Sequence, residues 1–93
     1  MSDSSSQITS KGSDATALPA PDTVLDVTGL LCPLPVLKAR KSLSAMQGGE
    51  VLQVNATDPA AVIDIPHFCQ ETGHRLAAQD QQGDLYRFWI VHR

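Results

Sequence analysis

Cys32 is the residue most able to do chemistry in this chain, because of what surrounds it in Gly29-Leu30-Leu31-Cys32-Pro33-Leu34-Pro35-Val36. Proline is tolerated in the first turn of a helix, where the amide it lacks would have no intrahelical partner. Pro33 and Pro35 therefore place Cys32 at or just before a helix start. With two amides missing, the N–H groups of Leu34 and Val36 are the free donors expected nearest the sulfur, as a small anion cradle. The positive end of the helix dipole would favour a thiolate over a thiol there. Leu34 itself precedes a proline, which disfavours helical geometry, so an irregular helix start is expected. The structural alternative is a small buried apolar residue, the common state of an unpaired cysteine. Prolines flanking a strand-to-helix junction weigh against it.

The elements that must hold this loop are legible on either side. Val24-Leu25-Asp26-Val27-Thr28 alternates as a half-buried strand does, which predicts a strand over Thr23 to Thr28 broken by Gly29. Val36, Ala39, Leu43 and Met46 then recur at helical spacing, with Gln47-Gly48-Gly49 as the stop. Glu50 to Ala56 alternates again as a second strand. A strand, a crossover helix and a strand make a right-handed unit with a parallel pair, so the loops after both strands share one sheet edge. Asp58 should therefore lie near Cys32. As Asp before Pro59 it is first a helix cap, with tuning of the sulfur site as a second role.

Pro59 to Thr72 is helical but contains Pro66. One short turn is predicted, then a better helix restarting behind Asp64 as a second cap and ending at Gly73. Ile65, Phe68 and Cys69 fall on its core side, so Cys69 reads as a packed cysteine and not a partner for Cys32. Leu76 and Ala78 suggest a weak third strand from about Arg75, and Gln82-Gly83 makes a turn. Tyr86, Phe88 and Ile90 give a fourth strand its core face, while Leu85, Arg87, Trp89 and Val91 point away. With two helices on one side, the other sheet face is expected to be open and Trp89 partly exposed.

Composition narrows the function classes. The chain has 93 residues and a net charge of −3. Residues 1–22 are rich in Ser, Thr, Asp, Ala and Pro without periodicity and read as a disordered tail. Residues 23–93 form one small domain. Two cysteines far apart fit no disulfide framework or CxxC site, and His67, His74 and His92 share no metal-ligand spacing. No metal and no organic cofactor are expected. No apolar run reaches the length of a membrane span and no signal peptide is visible, so a cytoplasmic monomer is expected. The acidic balance and the absence of clustered aromatics argue against a nucleic-acid binder. Lys38, Arg40 and Lys41 nevertheless concentrate positive charge within a turn of the cysteine loop, which suits docking of an acidic partner.

The whole pattern resembles a known family. Leu25-Asp26, Gly29-Leu30, Cys32-Pro33-x-Pro35-Val36, Lys41, Gly49-Glu50, Asp58-Pro59-Ala60, Asp64-Ile65-Pro66 and Phe68-Cys69, in register through residues 24–91, look like the TusA/SirA sulfur-carrier proteins. The resemblance implies an α/β two-layer sandwich of order βαβαββ, with a mixed four-stranded sheet and two helices on one face. It also implies that Cys32 carries sulfur as a persulfide. The donor would be a cysteine desulfurase or rhodanese and the acceptor a downstream thiol protein, in tRNA 2-thiouridine synthesis or another sulfur-trafficking route. Leu31 stands where an arginine often precedes the cysteine, and Leu34 where an acidic residue can separate the prolines. Those departures bear on partner and pathway. The competing class is a small regulatory or RNA/protein-binding module without transfer activity, and a third is a redox switch using Cys32 and Cys69.

Overall fold

The computed structural model describes residues 18–93. Most of the expected tail therefore lies outside the described residues. Its last residue is tied to the sheet: Asp22 donates its N–H to the Val51 carbonyl and accepts the Val51 N–H on Oδ2, each at 2.8 Å.

The element order is β1 (Thr23–Val27), α1 (Leu34–Ser44), β2 (Val51–Ala56), α2 (Ala61–Thr72), β3 (Arg75–Gln82) and β4 (Leu85–Val91). The strands lie in the order β1-β2-β4-β3, with β1 parallel to β2 and β4 antiparallel to both its neighbours. This is the expected mixed sheet. Both helices cover one face, α1 over β1 and β2, and α2 chiefly over β3 and β4.

The alternation of β2 explains why that face is the core. Leu52, Val54 and Ala56 are fully buried, and their partners Ile90, Phe88 and Tyr86 on β4 share the face. From above, α1 inserts Pro35, Ala39 and Leu43, and α2 inserts Ala61, Ile65, Phe68 and Cys69. Burying one large aliphatic or aromatic side chain of this kind contributes about 1.5–3 kcal/mol.

Three details differ from the sequence expectation. First, α2 runs unbroken through Pro66. The carbonyl that Pro66 cannot pair is that of Val62, on the exposed flank of the helix where water can reach it, so the break is tolerated. Asp64 is consequently inside the first turn and caps nothing. Gly73 ends the helix as expected, in a left-handed conformation (φ 83°) with its N–H on the Cys69 carbonyl.

Second, β3 carries a bulge between Leu76 and Ala78. The extra residue flips the strand's phase, so Leu76 faces the core beside Ile90 while Ala78 pairs with Trp89 on the opposite face.

Third, Trp89 is only 2% exposed. It lies between Gln53 and Ala78 in register, and the Arg87 guanidinium sits 5.0 Å from its ring centroid. Arg87 is itself held by Asp80, with Nε donating to Oδ1 at 2.9 Å and Nη2 to Oδ2. Small Ala78 makes room for the indole and the Arg87–Asp80 pair roofs it. The sheet face away from the helices thus buries one large side chain under polar cover.

Candidate active site

At the C-terminal edge of the parallel pair, side chains replace the missing ladder bonds. Asp26 Oδ1 accepts the Thr28 N–H (3.0 Å) and hydroxyl (2.7 Å), which stabilises the carboxylate and lowers its pKa. Gly29 then takes φ 81°, a conformation that strains any other residue, and gives its N–H to Thr57 Oγ1 at 2.8 Å. Leu30 dips into the core, and Cys32 emerges exposed.

The expected convergence of the two loops is found. Asp58 Oδ2 accepts the Cys32 N–H at 2.6 Å, while Oδ1 accepts the Ala60 N–H at 3.1 Å. One carboxylate thus organises the turn into α2 and anchors the backbone of the cysteine. The helix cap read from the sequence is not found, since α2 begins behind Ala60 with no side-chain cap; Asp58 holds the turn before it and lies beside the sulfur site.

The anion cradle is smaller than expected. Leu34 donates its N–H to the Leu31 carbonyl at 2.9 Å in a tight turn, so it is not free for a sulfur anion. Val36 is the remaining donor of the pair. Pro33 stands at the N-cap and Leu37 donates to its carbonyl at 3.1 Å. Pro35 packs into the core, which fixes the helix start against the sheet.

The thiol's electrostatics also reverse the expectation. The Asp64 carboxylate, which lines the same groove, then partial desolvation and the negative charge of Asp58 push its pKa up. Ionisation of this thiol is thus harder than that of a free cysteine. Its surroundings form an open groove of about 300 Å³ between α1 and α2, floored by Val36 and Phe68. Arg40 borders the groove with its guanidinium 5.2 Å from the Phe68 ring centroid. Opposite, Asp64 lies beside His67 and Glu71, whose side chains approach to 3.5 Å.

The basic face predicted as one patch is therefore divided. Arg40 turns to the groove, whereas Lys38 and Lys41 flank the other side of α1. That side also carries exposed apolar residues, Leu31 (68%), Leu34 (43%) and Leu37 (52%). Sequence reasoning gave Asp64 a capping role, took Leu34 for its amide and Leu31 and Leu34 as departures bearing on the partner, and passed over Glu71 and Leu37. The available signal was topological: α2 starts at the same sheet edge as Cys32, so its first-turn acid had to lie near the thiol.

Cys69 is buried on the core side of α2, and burial pushes its thiol up to about 11. It is inert at neutral pH. Cys69→Ala should lower stability by about 1 kcal/mol, the usual scale for a conservative core change, and leave Cys32 chemistry intact. Urea unfolding together with alkylation of Cys32 checks this; unchanged stability with lost reactivity would reverse the assignment. Among the described residues no group of three His, Cys, Asp or Glu side chains is placed to hold a metal ion, and no helix is long and apolar enough to cross a membrane.

Fold and site together define a small βαβαββ sandwich that presents one exposed thiol where its first helix begins. The sequence profile described as Sulfurtransferase TusA matches residues 23–91, and the chain belongs to that family. It is 46% identical over 69 residues to the sulfur carrier protein TusA of Allochromatium vinosum, covering 74% of this chain and 91% of the relative. It is 45% identical over 69 residues to TusA of Pseudomonas entomophila, covering 74% and 86%. The crystal structure of a SirA-like protein from Desulfitobacterium hafniense superposes with a TM-score of 0.67 at 21% identity, over 74% of this chain and 95% of that one. That likeness establishes the shared fold.

Proposed function

We propose that this protein is a sulfur carrier whose cargo atom is bound to Cys32. The thiolate of Cys32 attacks the outer sulfur of a donor persulfide, the donor's S–S bond breaks, and the donor leaves as a thiolate. Cys32 becomes Cys–S–SH. Attack on that outer sulfur by an acceptor thiolate passes it on and restores the cysteine, with no net redox change. A cysteine desulfurase or rhodanese is the donor class, and the acceptor is a thiol protein of tRNA 2-thiouridine synthesis or another sulfur-trafficking route.

The observation that carries this reading is the contrast between the two cysteines: Cys32 exposed at the mouth of a groove, Cys69 buried with its thiol suppressed. A persulfide relay needs one accessible sulfur and no second thiol that would close a disulfide with it. Family membership supports the same general role. Incubation with a cysteine desulfurase and cysteine, followed by intact-mass measurement, should show the gain of one sulfur. A loss of two hydrogens would instead mark a disulfide switch.

Docking is assigned to the flank of α1 that bears Lys38 and Lys41, together with Arg40 at the groove. Exposed charges act mainly on encounter rate and are screened over about 10 Å at 0.1 M salt. Loading from the donor should slow with added salt. Changing all three residues to Gln should slow it at low salt and flatten the salt dependence. Equal loading rates for the triple variant and the wild type at low salt would move docking elsewhere.

A further inference from the structure

A carrier thiol is ordinarily expected to be activated, yet this one faces carboxylates. The groups around Cys32 are Asp58 from the loop after β2, Asp64, His67 and Glu71 from α2, and Arg40 from α1. Their positions divide the labour. Asp58 has its oxygens on the N–H groups of Cys32 and Ala60, so its charge is partly satisfied and its place is fixed. Glu71 is paired with His67, and Arg40 is drawn over Phe68. Among the described residues the Asp64 carboxylate has no hydrogen bond or ion pair of its own, and with Cys32 it lines the groove by which any partner must approach.

We propose that Asp64 gates Cys32: it holds the neutral thiol in the unpartnered carrier, and releases it as thiolate when a cationic side chain of the partner enters the groove and pairs with the carboxylate. The proposal rests on the reading of Cys32 as the sulfur-bearing residue and names the partner chemistry that reading leaves open. In the gated step the Sγ–H bond breaks and its proton passes to solvent as the partner's Lys, Arg or protonated His pairs with Asp64. The freed thiolate forms the new S–S bond, and the donor's sulfur takes the displaced electron pair. An unpartnered carrier would thereby be shielded from stray electrophiles. Asp64 is a positioning residue in this scheme, because it acts through the thiol and touches no transferred sulfur.

Two measurements on the full chain test it, and neither depends on sulfur transfer. In the first, alkylation of Cys32 by iodoacetamide is followed against pH. The wild-type midpoint should lie above that of an unstructured, uncharged peptide spanning residues 29–36 with blocked termini. Asp64→Asn should lower the midpoint and raise the rate at neutral pH about three- to tenfold, since each unit of pKa changes the thiolate fraction about tenfold. Asp64→Glu should restore slow alkylation. In the second, modification by ammonium-bearing and sulfonate-bearing methanethiosulfonates is compared. Wild type should favour the cationic reagent over the anionic one more than the peptide does. That preference should weaken with salt and in Asp64→Asn.

An Asp64→Asn profile that overlays wild type, or a wild-type preference no greater than the peptide's, would overturn the gate. The salt arm reads charge on the wild type alone and so survives a variant that folds badly. Failure of wild type to load sulfur from a desulfurase would strike the sulfur-carrier reading and leave these reactivity results standing.

Discussion

A Cys32→Ser protein incubated with a cysteine desulfurase and cysteine should gain no sulfur while keeping the wild-type fold. Serine cannot form the S–S bond that holds the cargo, and its hydroxyl stays protonated at neutral pH. The substitution changes one exposed side-chain atom, and the anchor at this position is a backbone N–H, which serine keeps. Changes at exposed positions away from special contacts usually alter stability by no more than about 0.5 kcal/mol. Intact mass and far-UV circular dichroism read the two halves of the result. A sulfur-loaded Cys32→Ser protein would mean that Cys69 carries the cargo, contrary to its burial and its suppressed thiol.

The second large effect is structural. Trp89→Ala should cost about 3–5 kcal/mol, the usual range for removing a buried large aromatic side chain. Small domains have total stabilities of roughly 5–15 kcal/mol, and one of this size belongs near the lower end. The variant should therefore be largely unfolded or close to it, with a urea midpoint far below wild type. The reason is that Trp89 fills the space between Gln53 and Ala78 beneath the Arg87–Asp80 pair, on a face where no helix among the described residues can close over a hole. A loss under 1 kcal/mol would show that this face contributes little to the core.

Strand alternation and helical spacing carried most of the fold, because the core-facing residues of β1, β2 and β4 recur with a period of two in the sequence, even though β4 also buries Trp89 on its other face. The failures came where one local rule was overridden by context. Pro66 breaks a helix only if the carbonyl it orphans is shut away from water, and that exposure depends on which flank of α2 faces out. The bulge at Ala77 leaves no composition signal, since Ala fits either phase of a half-buried strand. Trp89 looked exposed because its cover comes from polar chains, Arg87 and Asp80, whose pairing is set by the β3–β4 register. At the site, Cys32 and Asp58 were legible from chain order and the parallel crossover. The occupied amide of Leu34 and the shared groove of Asp64 and the thiol were not, because both depend on how the turn closes in three dimensions.

If Cys32 carries the sulfur, as proposed, the two-oxygen grip of Asp58 sets how that cargo can move. With the Cys32 N–H held to the turn that starts α2, the loop is not free to swing as a long arm between distant stations. The outer sulfur of a persulfide reaches different points only through rotation about the cysteine's own side-chain bonds. Donor and acceptor must each bring their reacting cysteine to the same small volume above the groove. Two proteins cannot fill that volume together, so they queue: delivery ends with the donor's departure, and collection begins with the acceptor's arrival. On that reading the protein is a turnstile, and between visitors it would leave one surface and diffuse to the next with its sulfur aboard.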